Sequence, residues 1–192
     1  MLLEAAIISY NIFEGVVSII AGILAGSIAL VGFGLDSGIE VAAAVVVLFH
    51  LARSADDVRE DWEQRVAVFV GITLMAVAAY VFGRALYNLA AHIEPKESYL
   101  GIAITTASLV LMPLVSRVQH NLSHRIESRA LEADSRETLV CTYLSAAALA
   151  GLGANALLGW WWADPVAALV MVGVIAKEGW EAFTRKELCC ID

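Results

Sequence analysis

The chain has 192 residues, of which 60% are hydrophobic and 17% are charged, and its mean hydropathy is +0.76. A soluble domain carries about 45–50% apolar and about 25% charged residues, so this composition excludes both a disordered chain and an ordinary water-soluble domain. The net charge of −8 argues against a protein that binds nucleic acid. The composition therefore indicates an integral membrane protein.

Six apolar runs are long enough to cross ~30 Å of hydrocarbon, a distance that takes about 20 helical residues. They cover residues 5–26, 28–52, 66–91, 99–118, 134–158 and 165–183. The two longest stretches between them, 53–65 and 119–133, are polar and are expected to be loops. This division predicts an all-α, six-helix transmembrane domain over residues 1–184, followed by a short tail over 185–192.

The basic residues predict the orientation of these helices. Ten of the twelve lysines and arginines fall on or beside the second and fourth loops or the C-terminal tail. The ten are Arg53, Arg59, Arg65, Arg117, Arg125, Arg129, Arg136, Lys177, Arg185 and Lys186. Because basic loops stay in the cytoplasm, both termini are predicted to be cytoplasmic in a multi-pass protein, which we expect in the cell (inner) membrane.

Acidic residues lie where hydrocarbon is expected, and each charge there costs about 2.5–3.5 kcal/mol by insertion scales. Glu14 shares a helix stripe with Asn11 and Ser18 in the first span, and Asp36 and Glu40 stand one turn apart in the second. Such acids are protonated and inert, paired with a basic residue, or bound to a cation. Since the first two spans contain no lysine or arginine, protons or a metal are favoured.

The fifth span begins with a further set of potential ligands. Asp134, Glu137 and Cys141 follow the spacing i, i+3 and i+7, which places them on one arc of a helix. Two structural interpretations stay open, because acids near a helix N-terminus also suit the headgroup region and a single cysteine is often a small core residue.

Two segments resemble the cation diffusion facilitator transporters. Residues 26–40 read GSIALVGFGLDSGIE, and the second span of that family has a Ser-x-Ala-Leu opening followed by an Asp-x-x-x-Asp pair that binds the transported metal. The fifth span, with Trp162-Ala163-Asp164-Pro165 after it, looks like the family's fifth span and the loop into its sixth. The likeness is closest to the branch without a large cytoplasmic C-terminal domain, which is similar to zinc-handling proteins of synaptic vesicles.

The resemblance implies a ligand set. Asp36 matches the first ligand of the pair, and Glu40 takes the second position with a longer carboxylate. The family's fifth-span His-x-x-x-Asp has no literal copy, so Glu137 and Cys141 are expected in its place. A register counted back from Asp164 would choose Thr138 and Thr142 instead, although hydroxyls are poor ligands for divalent ions.

The function expected from these features is export of divalent transition-metal cations, with Zn²⁺ favoured and Mn²⁺ or Fe²⁺ as the alternative, in exchange for protons. The protein is not expected to be an enzyme or to hold a prosthetic group. A membrane-embedded, metal-dependent lipid enzyme and a non-transporting scaffold are the competing classes. The family usually forms homodimers, and Gly71 and Gly83 of the third span would permit close approach of a second copy.

Two peripheral features are left over. His120 and His124 stand four residues apart in the basic stretch, where they would either collect metal or have no ligand role. Cys189 and Cys190 are adjacent in the tail, where metal capture, palmitoylation and a redox role are all open.

Overall fold

A computed structural model describes the backbone of residues 2–52, 59–126 and 129–185, and the side chains of residues 5–45, 68–125, 131 and 135–182. The described backbone forms six helices. They are α1 (Leu2–Ala25), α2 (Ile28–Ala52), α3 (Arg59–Ala90), α4 (Tyr99–Ile126), α5 (Arg129–Leu158) and α6 (Ala163–Arg185). The predicted all-helical membrane fold is therefore confirmed.

α1 shows how these helices are arranged relative to lipid. Its buried stripe is polar, because Asn11, Glu14 and Ser18 are all at most 4% exposed. Its outer face is apolar, with Phe13 59% and Leu24 74% exposed. This is the reverse of a soluble amphipathic helix, and it is stable only where the surroundings of the protein are themselves apolar.

Five helices are long and apolar enough to cross a bilayer, over Ala5–Ala25, Ile28–Val45, Val68–Ala90, Tyr99–Arg125 and Ser135–Leu158. α6 has 23 residues, so its ~34 Å length also suffices to cross the hydrocarbon. It is less apolar because Lys177, Glu178 and Glu181 lie in its second half. The sixth span therefore stays a prediction.

The two long polar stretches are more helical than expected from the sequence. α4 continues to Ile126 and α5 begins at Arg129, so most of 119–133 is helix rather than loop. α3 likewise begins at Arg59, inside the predicted loop 53–65. The loop expectation was wrong because bilayer thickness limits the apolar run and not the helix, which can continue into water wherever its residues favour helix.

The bundle is assembled around α2. The most extensive packing occurs between neighbours in three pairs, α1 with α2, α4 with α5, and α3 with α6. α2 also contacts α3, α5 and α6, so it lies against four of the other five helices. Leu30 and Phe33 of α2 are fully buried and belong to the apolar core. Polar residues of α2 are therefore placed within reach of several helices at once.

Small residues set the closest approach between helices. A Cβ added at Gly22 of α1 would lie 2.8 Å from the backbone nitrogen of Val31 in α2, so no larger residue fits there without a shift. In α3, the carbonyl oxygen of Gly71 would lie 3.1 Å from a Cβ added at Gly179 of α6. Gly71 is therefore buried in the contact between α3 and α6. Of the two glycines that were expected to permit dimer contact, only Gly83 is exposed.

Asp164 ties the start of α6 to the start of α2. Gly26, at φ +71°, makes the tight turn between α1 and α2, and Ser27 caps α2 by accepting a hydrogen bond from the Leu30 amide at 3.1 Å. The fully buried Asp164 carboxylate accepts hydrogen bonds from the Ser27 hydroxyl and, at 2.9 Å, from the Ile28 amide. One side chain therefore satisfies donors at the end of a neighbouring helix, which would otherwise be unpaired.

Replacing Asp164 by alanine is expected to destabilise the protein strongly. Hydrogen bonds to a charged group contribute about 1.5–3 kcal/mol each, and the substitution leaves two buried donors unpaired, so we expect a loss of about 2–4 kcal/mol in the free energy of unfolding. Chemical unfolding in mixed micelles, followed by circular dichroism, measures this change.

Lys177→Ala is the matched control in the same helix. Its side chain is 76% exposed and its ion pair with Glu181 spans 3.9 Å, a type of contact worth at most about 1 kcal/mol. If Asp164→Ala were no more destabilising than this control, the connection between α2 and α6 would not contribute as proposed.

Candidate metal site

Three potential metal ligands from three helices meet in the middle of the bundle. Glu14 of α1, Glu40 of α2 and Cys141 of α5 each offer one ligand atom, and these atoms all lie within 4.8 Å of one another. Glu14 and Cys141 are fully buried, and Glu40 is half-buried. The thiol of Cys141 is also within hydrogen-bonding reach of the Glu40 carboxylate.

Neutral donors hold one oxygen of each carboxylate. Asn11 Nδ2 donates to Glu40 Oε2 at 3.0 Å, and Ser37 Oγ donates to Glu14 Oε2 at the same distance. Each bond crosses between α1 and α2, in opposite directions. The carboxylates are thereby oriented without being neutralised, since neither donor carries a charge.

The stripe on α1 leaves buried polar atoms without partners. Among the described side chains, Asn11 Oδ1, Glu14 Oε1 and Ser18 Oγ are buried and make no hydrogen bond. An unsatisfied buried polar group costs about 1–3 kcal/mol, so three on one stripe mark a place where binding a ligand would recover free energy. The unpartnered oxygen of Glu14 belongs to the group that contains Glu40 and Cys141.

A second group of acids lies beside the first. Asp36 of α2 is only 4% exposed, and it is within electrostatic reach of Glu137 in α5. Glu178 of α6 interacts electrostatically with both of them. These three acids are not part of the group of converging ligand atoms. When ionised, they would nevertheless strengthen the attraction of that group for a cation.

The residues of the two fifth-span registers make different contacts. Cys141 joins the ligand group, whereas Thr138 Oγ1 donates to Gln119 Oε1 of α4 at 2.9 Å. The hydroxyl of Thr142 lies 3.4 Å from the Thr138 carbonyl oxygen, a bond within its own helix. The register with Thr138 and Thr142 therefore gains no support. The side chain of Asp134, also expected as a ligand, lies outside the described residues, as do Cys189 and Cys190.

Two residues of this region were not identified from the sequence. Ser37 directly follows Asp36, and only the α1–α2 packing shows that it reaches Glu14. Glu178 was obscured by Lys177 and Glu181, because an acid in a charged helix end resembles a surface residue. A signal was present for Glu178, since it lies on the same α6 face as the fully buried Met171 and Ile175, seven and three residues earlier.

A helical membrane bundle with acids and a thiol gathered at its centre defines a class of protein, the membrane proteins that handle cations. The sequence profile of the cation efflux transmembrane domain family matches residues 5–185 of this chain. This match covers nearly the whole chain, and the chain therefore belongs to the cation efflux family.

Two relatives are named as transporters. The uncharacterized transporter YdbO of Bacillus subtilis is 28% identical over 184 residues, which are 90% of this chain and 63% of that protein. The uncharacterized transporter sll1263 of Synechocystis sp. is 26% identical over 153 residues, 76% of this chain and 49% of that protein. The chain thus spans about half to three fifths of the length of these relatives.

Replacing Glu40 by glutamine is expected to stabilise the protein when no metal is present. Glutamine keeps an oxygen that accepts from Asn11 and removes a carboxyl group whose ionisation burial and the neighbouring Glu14 and Asp36 oppose. Acids kept for function commonly reduce stability, so we expect the free energy of unfolding to rise by about 0.5–2 kcal/mol. Chemical unfolding in the presence of a chelator measures this change.

Glu94→Gln provides the matched control, because Glu94 is exposed on the connection between α3 and α4. It should leave the unfolding free energy within about 0.5 kcal/mol of the wild type. A clear loss of stability in Glu40→Gln would show that the carboxylate of Glu40 stabilises the metal-free protein, and it would contradict the prediction.

Proposed function

We propose that this protein exports divalent transition-metal cations from the cytoplasm, that Zn²⁺ is its main substrate, and that protons move in the opposite direction. The observation that carries the proposal is the convergence of Glu14, Glu40 and Cys141 within 4.8 Å inside a membrane bundle. Membership of the cation efflux family supports a cation as the substrate.

The donor set suits Zn²⁺ in chemistry and nearly in size. Zinc is bound by thiolate and carboxylate groups at about 2.0–2.3 Å, which places tetrahedral ligands about 3.3–3.8 Å apart. Donors separated by up to 4.8 Å would have to draw together by about 1 Å. The unpartnered Asn11 Oδ1 or a water molecule would supply the fourth ligand.

Exchange for protons follows from the kind of ligands involved. Carboxylates and thiols must lose their protons before they bind a metal, so metal and protons compete for the same atoms. The described side chains of the site include no lysine or arginine to neutralise the acids when the metal leaves. Protons taken up from the outside would neutralise the acids and would release the metal on that side of the membrane.

The alternative substrates are Mn²⁺ and Fe²⁺, which prefer oxygen donors. Asp36 and Glu137 would provide such donors if the metal were bound closer to them. The inward position of the Cys141 thiol supports Zn²⁺, because soft sulfur ligands favour zinc over manganese.

Glu40→Gln should lose metal transport. The wild-type chain, reconstituted in liposomes that enclose a zinc-sensitive and a pH-sensitive dye, is expected to take up Zn²⁺ while protons leave the lumen. We expect Glu40→Gln to lower the initial rate at least about tenfold, because the site then lacks one of its charged ligands; a tenfold change corresponds to about 1.4 kcal/mol.

The control for this experiment is again Glu94→Gln, which should transport at the wild-type rate. Wild-type flux in Glu40→Gln would refute the proposed site. Zinc uptake with no change in the pH of the lumen, in a membrane otherwise tight to protons, would refute proton exchange and leave metal transport standing.

Cys141→Ser should change the preference among metals. Loss of the thiol is expected to weaken Zn²⁺ and Cd²⁺ binding at least about tenfold and to change Mn²⁺ binding less than about threefold. Isothermal titration calorimetry compares the metals, with Cys189 and Cys190 replaced by serine in every sample so that only Cys141 differs. An equal loss for all metals would contradict coordination by the thiol, and tighter Mn²⁺ than Zn²⁺ binding in the parent protein would favour the alternative substrates.

A further inference from the structure

Two histidine rings of α4 face each other at the surface, away from the intramembrane site. His120 and His124 are one helical turn apart, and both side chains are exposed. Their Nε2 atoms are 3.3 Å apart. The ring centroids are separated by 4.6 Å, and the ring planes are nearly perpendicular at 87°.

The distance between these nitrogens is that of two ligands on one metal ion. With Zn–N bonds of about 2.0–2.1 Å, two nitrogens of a tetrahedral site lie about 3.3–3.4 Å apart. Without a metal, the same separation allows a long N–H···N hydrogen bond between the rings, which a bound cation would replace. We propose that His120 and His124 form a two-ligand site for a divalent transition-metal cation at the end of α4 predicted to be cytoplasmic.

The backbone beneath the pair is fixed by the adjacent face of α4. Gln119 and Ser123 are buried there, and Gln119 accepts a hydrogen bond from Thr138 of α5. Ser123 Oγ donates to the carbonyl oxygen of His120 at 2.8 Å. The helix therefore presents both rings from a rigid support, which lowers the entropic cost of closing the chelate.

The surroundings of the pair select among cations. Arg117 and Arg125, both exposed, flank it on α4 and repel any dication. Ions held mainly by electrostatic attraction to oxygen, such as Mg²⁺, Ca²⁺ and Mn²⁺, are thus disfavoured. Ions that bind imidazole strongly, namely Ni²⁺, Cu²⁺ and Zn²⁺, overcome this repulsion, and water completes their coordination.

The His120–His124 site is independent of the proposed transport function. The pair shares no residue with the ligand group of Glu14, Glu40 and Cys141. The test therefore uses a full-length background in which Glu40→Gln and Cys141→Ser disable the intramembrane site, and in which Cys189 and Cys190 are replaced by serine. No histidine tag is present.

Calorimetric titration of this background protein with Ni²⁺ is expected to show one site per chain. His120→Gln and His124→Gln should each weaken binding at least about tenfold, because a single imidazole forms no chelate. The matched control is His92→Gln, since His92 is exposed at the opposite end of the bundle and its ring lies 5.0 Å from Trp161. That variant should bind like the background protein.

Electron paramagnetic resonance with Cu²⁺ gives a second readout, which reports the ligand atoms directly. The spectrum should show hyperfine coupling to two equivalent imidazole nitrogens, reduced to one in either single variant. Binding that survives the removal of both His120 and His124, equal weakening by His92→Gln, or coupling to only one nitrogen in the background protein would each overturn the proposal. If these binding results were obtained but the wild-type protein did not transport metal, only the proposed transport function would be refuted.

Discussion

The architecture depends on the cost of placing acids in hydrocarbon without basic partners. The first two spans contain Glu14, Asp36 and Glu40 but no lysine or arginine. Without such partners the acids are expected to face protein and to be oriented by neutral groups. Asn11 and Ser37 do so by donating one hydrogen bond each across the α1–α2 contact. The same cost explains why the outer face of α1 is apolar.

Close packing of α1 and α2 makes these hydrogen bonds possible. A Cβ added at Gly15, next to Glu14, would lie 3.1 Å from the carbonyl oxygen of Gly34. A larger residue at this point would separate the helices and lengthen the bonds to Ser37 and Asn11. At the turn between α1 and α2, Asp164 holds the start of α2 and thereby sets its axial position. The glycines and the capping acid are thus part of the support of the site, although none of them is a ligand.

The number of helices and part of the candidate site were predictable from the sequence. The number of helices followed from bilayer thickness, and the pairing of Asp36 with Glu40 on one stripe followed from helix periodicity. Residues on one helix do not reveal which neighbours they meet, so the meeting of Glu14 with Cys141 required the tertiary structure. The helical ends at Ile126 and Arg59 were missed because hydropathy reports where hydrocarbon ends and not where the helix ends.

The same crowding of acids connects stability to occupancy by cations. Glu14, Asp36, Glu40, Glu137 and Glu178 lie within electrostatic reach of one another in a chain of contacts through α1, α2, α5 and α6. Ionising all of them together in a medium of low dielectric constant would be prohibitively unfavourable, so the bundle must carry either protons or a cation. A bound dication relieves this repulsion in proportion to how closely the ligands converge. At the proposed site, the empty and loaded proteins would therefore favour different separations of α1, α2 and α5.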